Sequence, residues 1–257
     1  VIAAFSLVSV AGTPLVLWVA QVAGWRWGFG SIALACGACL VAVQLLLPAS
    51  PVSQPGESLA QRLQGLRAGA LASAALNGVS QLPALLLIPL LAPLLLGLSP
   101  ADASLSWPFL VGGVAGLVSA RLAGRWLLRG QAVRLWQAAL TLFALNLALT
   151  AAGVMPGVGF MACFMASTYA TLVAASSVSA SWPQPAQRAS FSALQGALMH
   201  GVSSLAFLSG PQWLRLPVPA AGGYGGALLA SGMAALGLVW LGPRLLRAAS
   251  PQDQSRR

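Results

Sequence analysis

The segment AGALASAALNGVSQLPALLLIPLLAPLLL, residues 68–96, decides the fold class: it runs 29 residues without a charged side chain. A helix rises about 1.5 Å per residue and a bilayer core is about 30 Å thick, so a run of this length reads as a membrane span. A spanning strand would need only about ten residues of alternating pattern, so strands are not expected.

The same pattern recurs along the chain. The chain has 257 residues, 58% hydrophobic and 6% charged, with mean hydropathy +0.84. Eight spans are expected, at 1–21, 28–48, 68–96, 104–122, 132–153, 157–180, 190–210 and 223–243, giving an all-α polytopic transmembrane bundle. The 13 basic residues are all arginine. Placing alternate connections on one side collects Arg62, Arg67, Arg121, Arg125, Arg129, Arg134, Arg188, Arg244, Arg247, Arg256 and Arg257 there, against Arg26 and Arg215 on the other. Eleven against two is a positive-inside pattern, which predicts that both ends of the chain are cytoplasmic. The net charge of +10 is therefore read as topology, and nucleic acid is not expected as a partner.

Three prolines within residues 48–55 rule out continuous helix there, and the following stretch turns amphipathic. The expected organisation is two helices of a truncated N-terminal half at 1–48, a cytoplasmic linker at 49–67, a six-helix C-terminal half at 68–246 and a cytoplasmic tail at 247–257. The apolar run begins at Val1, without a methionine or a positive anchor, so upstream sequence is expected to be missing. Gly112-xxx-Gly116 and Ala120-xxx-Gly124 place small residues one turn apart, the pattern that lets membrane helices approach closely.

With one histidine, no carboxylate in any span and no glycine-rich phosphate loop, no catalytic constellation can be assembled, so no enzyme activity, cofactor or metal is expected. Cys36 and Cys39 lack the second pair of a zinc site and, with Cys163, read as small buried residues. What remains is polar side chains in apolar spans, which are costly in lipid and so face protein or a water-filled cavity. Ser73, Asn77 and Gln81 stack at i, i+4, i+8 just before Pro83, and with Pro89 they suggest a bent helix lining a solute path; interhelical hydrogen bonding is the alternative. Ser192, Gln195, His200 and Ser203 fall within an arc of about 140°. His200 is the one proton-relay candidate, set against a buried neutral histidine. Residues 157–180 add Thr168, Tyr169, Thr171, Ser176 and Ser177, and Asn146 is assigned to packing.

Three stretches carry a family resemblance. FSLVSVAGTPLVLWVAQVAGWRWGF, residues 5–29, resembles the fifth helix of the major facilitator superfamily, in the branch of drug/proton antiporters and arabinose-efflux-like permeases. Gly12, Pro14, Gly24, Trp25, Arg26 and Phe29 match, whereas Val16 and Trp18 stand where the antiporter motif has further glycines. GLVSARLAGRWLLRG, residues 116–130, is similar to the second copy of the family's cytoplasmic loop motif, without its acidic member, and residues 188–205 resemble the start of the eleventh helix. The resemblance implies that the spans correspond to helices five to twelve and that the first four helices, expected partners of this chain, are absent. It places Asn77, Gln81, Tyr169, Gln195 and His200 at the substrate cavity, and Gly12, Pro14, Arg26, Arg121 and Arg125 among gating and motif residues. It further implies a secondary transporter of the inner or plasma membrane that exports a small organic solute, with protons as candidate coupling ion. The competing expectation is a non-transporting remnant or scaffold in the bilayer, whose polar residues only pack helices.

Overall fold

The computed structural model describes residues 11–46, 70–98, 105–180, 183, 188–216, 218 and 221–248. The expected linker at 49–67, Arg62, Arg67 and most of the tail at 247–257 lie outside the described residues. Every regular element described is helical: α1 (Thr13–Ala23), α2 (Trp25–Leu46), α3 (Ala70–Leu87), α4 (Leu91–Leu98), α5 (Ser106–Leu127), α6 (Ala132–Ala151), α7 (Gly157–Ser179), α8 (Arg188–Ser209) and α9 (Gly225–Ala248). Among the described residues seven helical stretches are long and apolar enough to cross a membrane, and α1 is a shorter apolar helix. The chain is a polytopic membrane helix bundle.

Helix α3 continues into α4 through a three-residue 3₁₀ turn, Ile88–Leu90, and the two together form one candidate span, Leu71–Leu98. The break falls at Pro89, whose missing N–H cannot serve the helical ladder. Pro83, by contrast, is carried inside α3. Its carbonyl accepts a hydrogen bond from Ser231 Oγ of α9 at 2.6 Å, which ties the two helices together beside the proline.

The ends of α5 and α6 follow from glycine. Gly130 (φ 69°) closes the turn after α5, its N–H donating to the Leu127 carbonyl at 2.9 Å. Gly153 (φ 73°) ends α6, and Val154 N–H reaches back to the Leu149 carbonyl at 3.0 Å, satisfying a terminal acceptor as a Schellman motif does. Pro156 then starts α7 almost at once, its carbonyl accepting from Phe160 N–H at 2.8 Å.

α7 is the central helix, packed against α3, α5 and α6, while α9 bridges α6 and α3, and α8 packs mainly on α3. The core holds Trp136, Phe143, Phe160 and Phe164, with ring centroids 5.4 Å apart for Phe143 and Phe164 and 5.8 Å for Phe160 and Phe164. Lipid tails are as apolar as these side chains, so close packing rather than apolar transfer holds such helices together. The small-residue motif shows how: a Cβ on Gly112 would stand 2.8 Å from Met161 Cγ, and one on Gly116 2.6 Å from Tyr169 Cδ2, so only glycine lets α5 come this near α7. Gly124 has nothing within 4 Å, so the second motif contributes no such approach.

Helices α1 and α2 are a different kind of element. A single residue, Gly24 (φ 95°), joins them; its N–H donates to Ala20 and its carbonyl accepts from Trp27 N–H at 3.1 Å. Gly28, the one buried residue of α2, sits against Ala20 and Val16 of α1. The pair leans on the bundle through α1 and α5. Trp25, Arg26 and Trp27 form the first turn of α2, which starts three residues before the expected span.

Candidate functional site

The polar residues of α3 and α7 meet. Ser73, Asn77 and Gln81 are all buried, on the face the i, i+4, i+8 spacing defines. Ser176 Oγ of α7 donates to Asn77 Oδ1 at 3.4 Å, and Gln81 Nε2 donates to the Thr168 carbonyl at 3.3 Å. One turn along α7, Ser179 Oγ donates to the Ala175 carbonyl and receives Gln195 Nε2 of α8 at 3.1 Å. Ser179 Oγ also reaches the Ser176 carbonyl at 3.3 Å, so a polar chain runs from Asn77 through Ser176 and Ser179 to Gln195, joining three helices inside an apolar bundle. Ser80 Oγ donates to the Asn77 carbonyl at 2.9 Å, so it serves the backbone of α3.

Two hydroxyls near this chain have spare capacity. Ser73 Oγ and Thr168 Oγ1 are buried with no hydrogen-bond partner among the described residues. A buried hydroxyl left unpaired in a low-dielectric interior is costly, on the order of 1–3 kcal/mol. The bundle thus holds hydrogen-bonding groups beyond those its own packing uses.

The other candidates fall elsewhere. Tyr169 is buried against Gly116 of α5, one residue along α7 from Thr168. His200 is exposed on α8 and does not join the polar chain. Five residues separate it from Gln195, about 140° of helical rotation, so when Gln195 turns to α7 His200 turns away. Ser204 Oγ donates to its carbonyl at 2.9 Å, an intrahelical bond. Asn146 Nδ2 donates to the Phe160 carbonyl at 3.1 Å and links α6 to α7. The burial expected for the cysteines is corrected at two positions: Cys36 and Cys39 are exposed, because α2 buries only Gly28, and Cys163 is half-buried.

Among the gating and motif residues, Gly12 winds with Ala11 as a wide π turn just before α1, and Pro14 sits in the first turn of that helix. Arg121 and Arg125 are exposed on α5, with Arg125 in its last turn, where a cation complements the helix dipole. The Arg26 guanidinium lies over the Trp25 ring at 5.4 Å, and Trp25 meets Phe29 edge-on at 6.2 Å. Arg26 thus meets an aromatic face of its own turn.

Sequence reasoning passed over Ser179, the link between α7 and α8, and Ser231. The signal for Ser179 was its i+3 spacing from Ser176; for Ser231 none existed, since nothing in the sequence pairs it with Pro83.

No protein-family model, curated protein or solved structure matches the chain. The resemblance to the major facilitator superfamily rests on residues 5–29, 116–130 and 188–205 alone.

Proposed function

We propose that this chain is part of a secondary transporter of the major facilitator type that exports a small organic solute by alternating access and performs no enzymatic chemistry. The carrying observation is the polar chain Asn77–Ser176–Ser179–Gln195, with the unpaired Ser73 and Thr168 hydroxyls beside it. Neutral donors and acceptors in a bundle whose described residues include no carboxylate favour a neutral solute over a strongly charged one. In this reading α1 and α2 belong to one helical half and α3 to α9 to the other, and solute passes between the halves. The arginine distribution supports cytoplasmic placement of both ends in the inner or plasma membrane.

A scaffold that only packs helices is the second reading. It is favoured by one observation: Asn77, Gln81 and Gln195 each already hold an interhelical hydrogen bond. Efflux from proteoliposomes containing the whole protein, run over a panel of neutral and charged organic solutes, separates the two. The transporter reading expects export of at least one solute, lost in Asn77→Leu while the variant remains folded. Absence of transport across the panel, or export unaffected by Asn77→Leu and Gln195→Leu, supports the scaffold. Proton coupling through His200 expects His200→Ala to flatten the pH dependence of export; an unchanged profile removes that role.

A further inference from the structure

Helices α5 and α6 both pack on α7 but touch each other little. Between them opens a groove of about 540 Å³, walled by Val118, Leu122 and Trp126 of α5 and Leu135 and Ala138 of α6, with Ala166 of α7 at its floor. Its size falls in the range of ligand pockets, yet it offers almost nothing polar. The two hydroxyls on its wall are turned into backbone: Ser119 Oγ donates to the Ala166 carbonyl at 2.6 Å, and Ser167 Oγ to the Cys163 carbonyl at 2.7 Å. Val118, Leu122 and Trp126 are large exposed hydrophobics, so the groove opens on the lipid-facing surface rather than toward the polar chain.

The stretch that joins the two walls at one end of this groove carries three arginines. The turn closed by Gly130 brings the end of α5 next to the start of α6. Arg125 follows Leu122 by three residues along α5, Arg134 precedes Ala138 by four along α6, and Arg129 lies in the turn between the two helices, so the three sit at that end of the walls rather than among the residues that line the groove. All three are exposed. None of the chain's three acidic residues, Glu57, Asp102 and Asp253, falls among the described residues, so no described carboxylate neutralises the cluster. The first turn of α6 adds backbone N–H groups with no side-chain cap, which also favour an anion.

We propose that this groove binds an anionic phospholipid, with an acyl chain between α5 and α6 and its phosphate at Arg125, Arg129 and Arg134. An apolar slot open to the bilayer accepts an alkyl chain, and three guanidiniums at its end select a phosphate that carries net negative charge. A transported solute has no reason to occupy it, because the wall offers no hydrogen-bonding group to fix an orientation. The site is independent of whether the protein transports anything.

The test is native mass spectrometry of the purified whole protein in detergent, titrated with phosphatidylglycerol or phosphatidylcholine of identical acyl chains. Phosphatidylglycerol is expected to be retained at least about tenfold more tightly, and Arg125→Gln/Arg129→Gln/Arg134→Gln to weaken it roughly a hundredfold, from about 1 kcal/mol per arginine near an anionic phosphate. Ala138→Phe, which fills the groove without altering charge, is expected to weaken binding as well, whereas Arg215→Gln is not. Excess glycerol phosphate is expected to leave the lipid in place. Equal retention of both lipids, a charge-neutralised variant that binds normally, no effect of Ala138→Phe, or displacement by glycerol phosphate each overturns the proposal. Should the triple variant fail to fold, Arg134→Gln alone carries the same readout.

Discussion

Helices α2 and α7 are nearly equal in length, 22 and 23 residues, and both are apolar enough to cross a bilayer, yet none of the apolar window of α2 is buried while 56% of that of α7 is. Their polar content differs in how it is used. α2 has Arg26 in its first turn, Ser31, which spends its hydroxyl on the Gly28 carbonyl of its own helix at 2.7 Å, and an exposed Gln44 in its last turn. α7 carries Ser167, Thr168, Tyr169, Thr171, Ser176, Ser177 and Ser179, which in hydrocarbon must turn toward protein. Facing residues complete the contrast, since Gly112 and Gly116 of α5 admit α7 closely, whereas among the described residues the close approach at α2 is that of Gly28 to α1. Hydropathy qualifies a helix for the membrane; small residues and matched polar groups decide whether it becomes the centre of a bundle.

The largest effect expected from this contrast is at the aromatic centre of α7. Phe164→Ala should cost about 3 kcal/mol of stability, read from denaturant unfolding in detergent. Leu34→Ala on α2, a side chain 77% exposed, should change the midpoint by less than about 0.5 kcal/mol. Similar costs at the two positions would break the comparison.

A Cβ test comes next. Gly116→Leu should destabilise by about 2 kcal/mol, because a side chain there overlaps the Tyr169 ring. Gly37→Leu on α2 has open space and should leave the unfolding curve in place.

The polar chain predicts a smaller loss. Ser179→Ala removes the acceptor of Gln195 and should cost about 0.6 kcal/mol, the usual worth of a hydrogen bond between membrane helices. Ser31→Ala touches no neighbouring helix and should cost less, so a comparable loss there would mean that the interhelical bond adds nothing. The smallest effect is expected at Arg26→Ala: a change in tryptophan emission from loss of the cation over Trp25, with the unfolding midpoint unchanged.

Some of the site was legible and some was not. Ser73, Asn77 and Gln81 share a face because helical spacing alone places them there, and burial of that face follows from the cost of polar groups in lipid. Gln195 and His200 sat within one wide arc, and spacing cannot say which edge of an arc meets a neighbour; α7 meets the Gln195 edge. The bond from Ser231 to the Pro83 carbonyl joins residues 148 apart in sequence, and no local pattern encodes such a pair. Pro83 and Pro89 look alike in the sequence, yet only the second coincides with a break in the helix.

That the chain is a membrane helix bundle was readable from its sequence, since uncharged runs near 20 residues are too long for a barrel strand of about ten and a helix satisfies every backbone group internally. Only the tertiary structure decided that α7 is central, that Asn77 and Gln195 are linked through Ser176 and Ser179, and that α5 and α6 leave a groove between them. In hydrocarbon nearly every apolar face is equally content with lipid, so the choice of neighbour rests on shape and hydrogen-bond complementarity between helices far apart in sequence.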